Sequence, residues 1–185
     1  MSTNPIESAF HALIDLLQKS KTDYLVIGGL AVLASGEPRM TQDIDLILFI
    51  KKADLLPFLK KASKTLKVNS KSALYGAKTR GAFSLACRNV PVDVILASTE
   101  LERSALTRKI SARLFGRKVN LPSPEDLILL KLIPGRTKDL ADVEAIVSRK
   151  GPLLDRKYLR KWGEEISDMA EDTRVLRQLK NLKLV

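Results

Sequence analysis

A strand whose sequence should be buried on both faces begins with two carboxylates. Ile44 to Ile50 is an almost unbroken apolar run rich in isoleucine and leucine, the composition of a strand covered from both sides. Asp43-Ile44-Asp45 stands at its head. The two-residue period of a strand sends Asp43 and Asp45 to one face and Ile44 to the other. Like charges that close raise each other's pKa and are costly to bury, and a divalent cation between them resolves the conflict. Val92-Asp93-Val94-Ile95-Leu96 repeats the anomaly, with one acid inside another core strand. If the two strands are neighbours, three carboxylates meet, as two-metal phosphoryl-transfer sites require. Singly, Asp43 could cap a turn and Asp93 could be an edge-strand charge. Together the three acids favour function over structure, since nothing in the fold requires them there.

The donor set narrows the metal. The chain has one cysteine, Cys87, and one histidine, His11, so neither an intrachain disulfide nor a Cys/His zinc site can be assembled. Oxygen ligands remain, which favours Mg2+ or Mn2+. Upstream of the acid pair, Gly28-Gly29 lies between a short strand, Tyr24 to Ile27, and a helix start at Leu30. Without side chains there, the backbone can approach a triphosphate while N–H groups of the following turn point at its oxygens. The same pair read alone is an ordinary tight turn. A formal net charge of +11 suits a polyanionic partner such as RNA, DNA or a nucleoside triphosphate, or else a lysine-rich solvated surface. No apolar run is long enough to span a bilayer and no signal-peptide pattern opens the chain. A cytoplasmic protein without a membrane partner is the expectation.

With 185 residues, 45% of them hydrophobic, the chain has room for one compact core and an added helical layer. Apolar spacing predicts helices over Pro5 to Lys19, Leu30 to Ser35 and Ala53 to Leu66, the last with Leu55, Leu56, Leu59 and Leu66 inward. Lys67 to Arg80 is polar, basic and glycine-containing, and reads as a loop or ragged hairpin. Strands are expected at Ala82 to Arg88 and Val92 to Ala97 around a turn at Asn89-Val90-Pro91, with Arg117 to Leu121 as a further edge strand. Ser123-Pro124-Glu125-Asp126 combines a serine cap, a first-turn proline and first-turn acids, so it starts a helix. Helices are then predicted over Thr137 to Arg149, Arg156 to Met169 and around Val175 to Leu182. The predicted fold class is α/β (α+β), a mixed β-sheet flanked by helices. A core over residues 1–121 would carry a helical extension over 122–185.

These residues resemble the DNA polymerase beta-like nucleotidyltransferase superfamily, whose signature is a Gly-Gly or Gly-Ser turn, Asp-x-Asp on a strand and a third Asp on another strand. Val26 to Ala31 and Pro38 to Leu46 are similar in particular to AbiEii/AbiGii-type and MenT-like toxin nucleotidyltransferases, in which Arg-x-Thr-x-Asp-Ile-Asp is typical. Here that segment is Arg39, Thr41, Asp43 and Asp45. A second motif, a lysine followed by Arg-x-Lys-Asp-x-x-Asp, matches Lys131 and Arg136 to Asp142. Leu30 replaces the frequent serine of Gly-Ser, and Ala34-Ser35 stands where relatives often carry histidine. The resemblance implies a nucleotidyltransferase fold and transfer of a nucleoside monophosphate from ATP or another triphosphate to an acceptor hydroxyl. Asp43, Asp45 and Asp93 would be the catalytic metal ligands, and Gly28, Gly29, Arg39, Thr41, Lys131 and Asp139 would serve the nucleotide. Toxin members typically modify the acceptor end of tRNA or another cellular target, and a cognate antitoxin is an expected partner.

The basic residues admit two readings each. Lys131 falls on the apolar arc of its helix, where an unpaired ammonium is rare, so its partner is either a triphosphate or Asp139. Arg39 could reach a phosphate or be a solvated loop charge. Lys78 and Arg80, beside Tyr75 and Gly76, suit an acceptor polyanion, or a solvated loop. Two other functions compete with a toxin-like enzyme: an antitoxin-type adenylyltransferase acting on a partner protein, and a degenerate copy of the fold that only binds nucleic acid.

Overall fold

The computed structural model describes residues 4–36 and 40–185. The chain opens with α1 (Pro5–Ser20), whose apolar stripe Phe10, Leu13, Ile14 and Leu17 is buried. β1 (Asp23–Ile27) leads into the short α2 (Gly28–Ala34), and β2 (Ile44–Phe49) carries the acid pair's second member. There follow α3 (Lys52–Ala62), α4 (Ser70–Arg80), β3 (Ala82–Cys87), β4 (Val90–Leu96) and α5 (Glu100–Thr107). β5 (Ile110–Leu114) and β6 (Arg117–Leu121) form a hairpin, and α6 (Pro124–Leu132), α7 (Thr137–Lys150), α8 (Arg156–Ala170) and α9 (Arg174–Asn181) complete the chain.

The main sheet has the order β1-β2-β4-β3. β1 runs antiparallel to β2, β2 parallel to β4, and β3 antiparallel to β4, so the sheet is mixed as the sequence predicts. Strand alternation divides its residues between two faces. Leu46, Leu48, Val92 and Val94 join the large core with α1 and α3 residues such as Phe10 and Leu59. Leu25 and Ile47 point the other way, into a smaller cluster with Ala105 of α5 that Leu130 of α6 packs against. The C-terminal helices contribute Leu129, Val143, Leu159 and Trp162 to the large core.

Four local expectations are corrected. Residues 70–80 are not a loop: α4 begins where the Asn69 side chain accepts from the Ser72 N–H at 3.0 Å and ends at Gly81 with φ 65°. Its inward residues, Ala73 and Gly76, are small, because a Cβ at Gly76 would sit 2.6 Å from the Ala82 carbonyl oxygen. Small inward residues leave no apolar stripe to read. Helix α3 stops at Ala62, burying Phe58 and leaving Leu56 exposed. The β3–β4 turn is Arg88-Asn89, with φ of 49° and 67°, so Cys87 pairs with Val90 and the strand extends through Pro91. Positive φ at both central residues is the tight hairpin form whose twist matches that of its strands. Finally, Arg117 to Leu121 pairs with β5 in a separate two-stranded sheet and is not an edge of the main one.

Candidate active site

The parallel register of β2 and β4 places Asp45 directly beside Asp93. Asp43, just before β2, completes the group, and one carboxylate oxygen from each of the three lies within 4.8 Å of the others. Two hydroxyls orient the cluster from outside. Thr41 Oγ1 donates to Asp43 Oδ1 at 2.6 Å, and Ser84 Oγ donates to Asp93 Oδ1 at 2.6 Å. Ser84 stands opposite Asp93 across the β3–β4 pairing. Sequence reading passed over it, although the two-residue turn at Arg88-Asn89 fixes that register.

Gly28 closes the site on the β1 side. Ile27 pairs with Asp45, and the next residue turns with φ +64°, so a Cβ at Gly28 would lie 1.8 Å from Asp45 Oδ2. Only glycine permits this approach and this backbone angle together. Gly29 is buried within α2. Arg39, expected at the nucleotide, lies outside the described residues.

Asp45 is electrostatically frustrated. Burial first, then the charges of Asp43 and Asp93, push its carboxyl up to about 6, against the opposing pull of Lys131 and Lys138. The folded state therefore keeps a proton that the unfolded chain, with a carboxyl near 3.8, releases as pH rises from there to about 6. Stability contributed by this group is lost across that window, and the full cost persists above it. Asp45→Asn is thus expected to stabilise the metal-free protein at pH 8 by about 1–3 kcal/mol, with little gain at pH 4. Urea melts at the two pH values check this, and a destabilised variant at pH 8 would contradict it.

Beside the acids opens a cavity of about 460 Å³, lined by Gly28, Lys131, Arg136 and Asp139 with apolar walls that include Ile95 and Leu130. The Asp139 hydrogen bond first, and then the nearby Asp139, Asp45 and Asp43 charges, raise the Arg136 guanidinium above its usual value. On the other side of Ile95, a cleft of about 310 Å³ is lined by Arg80, Ser84 and Asp93. Lys78, expected with Arg80, is exposed on α4 and does not line that cleft. Asp93 therefore borders one opening, and Gly28, against which Asp45 packs, borders the other.

Lys131 has a partner within the protein. Its Nζ lies 2.6 Å from Asp142 Oδ2 and 3.4 Å from Asp139 Oδ1, all three side chains being buried. Arg136 Nε closes the group at 2.6 Å from Asp139 Oδ2. Burial alone would raise Asp139, but the hydrogen bond from Arg136 and the charges of Lys131 and Arg136 outweigh it and hold the carboxyl below its ordinary value. Lys131→Met keeps the apolar stem and removes the buried ammonium that Asp139 and Asp142 share, so a loss of about 3–5 kcal/mol is expected. Chemical denaturation measures it, and near-normal stability would show that the lysine charge is not the partner these acids require.

Residues 7–181 match the family described as "Nucleotidyltransferase of unknown function (DUF6036)". No curated protein matches the chain. Among solved structures, that of the antibiotic-resistance factor ANT(2'')-Ia is similar, with a TM-score of 0.61 at 14% identity over 89% of this chain and 94% of the other. The lincosamide antibiotic adenylyltransferase LnuA, lincomycin-bound, gives 0.54 at 14% identity over 76% and 95%. An antigenic nucleotidyltransferase-like protein from Paracoccidioides brasiliensis gives 0.51 at 20% identity over 80% and 78%. These likenesses are of fold.

Proposed function

The chain belongs to the DUF6036 family of nucleotidyltransferases, and we propose that it moves a nucleoside monophosphate from a nucleoside triphosphate to an acceptor hydroxyl, with Asp43, Asp45 and Asp93 as its catalytic acids. The observation that carries this reading is the convergence of three carboxylates within 4.8 Å, beside the openings that Asp93 and Gly28 border. Divalent cations fit the group: the donors are all oxygen, and the raised Asp45 carboxyl is an anion in want of a counter-charge. Mg2+ or Mn2+ held by the three acids would neutralise the triphosphate and make its α-phosphorus more open to attack.

The protein's own residues divide the remaining work. Gly28 lets the backbone come up to the acids without a side chain, so the triphosphate enters through the cavity of Gly28, Lys131 and Arg136. Arg136, exposed and tied to Asp139, offers a guanidinium to the β- and γ-phosphates. Thr41 fixes the Asp43 carboxylate, and Leu30 supplies no hydroxyl to the phosphates. The acceptor hydroxyl approaches from the Arg80 side. Ser84 occupies Asp93 Oδ1, which leaves Oδ2 to receive the acceptor's proton as the new oxygen–phosphorus bond forms, the bond to the β-phosphate breaks and pyrophosphate leaves.

The net charge of +11 favours a nucleic-acid hydroxyl as acceptor, in keeping with a toxin-like enzyme acting on tRNA. The test is incubation with Mg2+ and each α-labelled nucleoside triphosphate in turn, together with total RNA, a protein lysate or small polyhydroxylated compounds. Label in RNA supports the reading. Label in a protein points to the adenylyltransferase that modifies a partner, and label in a small molecule removes the nucleic-acid acceptor.

A further inference from the structure

Two grooves lie away from the acids and are lined by lysines. One, of about 450 Å³, is formed where β2 ends and α3 begins, with Lys21, Lys51 and Lys61 on its walls and Asp54 as its acid. The other, of about 330 Å³, lies between α1 and the end of α3 and is lined by Lys19, Lys61 and Lys64, with Asp15. Lys61 belongs to both, so the grooves adjoin. Asp15 is engaged by Arg117 at 3.0 Å, whereas among the described residues none of the five lysines is paired with an acid. Lys61 instead donates to the backbone carbonyl of Lys19 at 3.4 Å. Ammoniums without acidic partners around two adjoining grooves are what a row of phosphates would neutralise.

We infer that this double groove is a docking site for the phosphate backbone of a nucleic-acid duplex, remote from the reacting end of the same molecule. The inference deepens the nucleic-acid reading of the acceptor, but the binding it describes needs no transfer. Lys51 lies six residues on from Asp45, just past the end of β2, about 20 Å away at an extended rise of about 3.3 Å per residue. A B-form DNA duplex advances about 3.4 Å per nucleotide pair, and an A-form RNA duplex advances less. Fewer than about six pairs therefore cannot reach from the acids to the groove, and longer duplexes gain its contacts. The groove would thus select acceptors by length and leave the chemistry at the acids unchanged.

The experiment compares the wild-type chain, a K51Q/K61Q/K64Q variant and a K157Q/R160Q/K180Q variant of equal charge, all six residues being exposed. Binding of RNA and DNA duplexes of about 20 base pairs is measured against salt, and transfer is measured to a long and to a four-pair acceptor. The groove variant should bind either duplex roughly 10- to 100-fold more weakly, with a log–log salt slope smaller by about 2–3. The variant on the C-terminal helices should lose much less. Transfer to the four-pair acceptor should be unchanged in the groove variant, and its KM for the long acceptor should rise. Equal losses in the two variants would overturn the inference, as would unaltered binding in the groove variant. So would lysine-dependent retention on phosphatidylserine vesicles without duplex binding. A chain that transfers to no nucleic acid yet binds duplex through these lysines would remove the acceptor reading and keep the groove.

Discussion

Asp93→Asn is expected to lower nucleotidyl transfer by about 100- to 10,000-fold, the range for losing a general base, while triphosphate affinity changes much less. Asp93 is exposed, on the side of the cluster that opens toward Arg80. Gly28, against which the Asp45 carboxylate packs, instead lines the cavity of Lys131 and Arg136. The amide retains the shape and the hydrogen bond from Ser84 but cannot take the acceptor's proton at Oδ2. Single-turnover transfer and equilibrium triphosphate binding, measured on the same preparation, separate the two effects. Losses of equal size in both would place Asp93 on the triphosphate and leave the acceptor without a base.

The second large effect is expected from one methyl group. In Gly28→Ala the new Cβ would fall 1.8 Å from Asp45 Oδ2, so the carboxylate has to swing aside. Displacement of a reacting group by about 1 Å costs about 100-fold in rate, and transfer should fall by at least that much. The substitution also carries the penalty of a left-handed backbone angle, about 1–2 kcal/mol. Gly116→Ala isolates that penalty, because Gly116 has φ +75° with nothing within 4 Å of its would-be Cβ. Both variants should lose similar backbone stability, and only Gly28→Ala should lose transfer. Normal transfer by Gly28→Ala would mean that the position of Asp45 is not critical.

The acids are legible in sequence because they violate the pattern around them. Asp45 and Asp93 interrupt strands that are otherwise apolar, and strand periodicity puts Asp43 with Asp45 without reference to any other part of the chain. Their neighbourhood is harder to read. The register that brings Ser84 to Asp93 follows from the tight Arg88-Asn89 turn, and placing the turn one residue later hides the pairing. Helix α4 escapes notice because its buried face is Ala73 and Gly76. Helix α5 announces itself only through the Thr99-x-x-Glu102 capping box, in which Thr99 Oγ1 accepts from the Glu102 N–H at 3.2 Å and Glu102 accepts from the Thr99 N–H at 2.8 Å.

Lys131 shows where sequence reading meets its physical limit. Its place on an apolar arc implies a buried counter-charge, and Asp139 is a visible candidate. Asp142 is the nearer carboxylate, one turn further along the same helix. Periodicity tells which residues share a face but not how two helices are set against each other. That depends on packing between α6 and α7, which no local pattern encodes. The lysine groove is invisible for the same reason, since Lys19, Lys51 and Lys64 come together only through the packing of α1 on the sheet and α3.

The central claim is that Asp43, Asp45 and Asp93 form one oxygen-donor site for divalent cations, and Mn2+ binding tests it most directly. Calorimetric titration of Mn2+ into the wild-type chain at pH 8 should show binding that strengthens when a non-hydrolysable triphosphate analogue is present. Asp45→Asn, which removes the donor shared between Asp43 and Asp93, should abolish that binding in the folded protein. Mn2+ affinity unchanged by Asp45→Asn, with or without the analogue, would contradict the account.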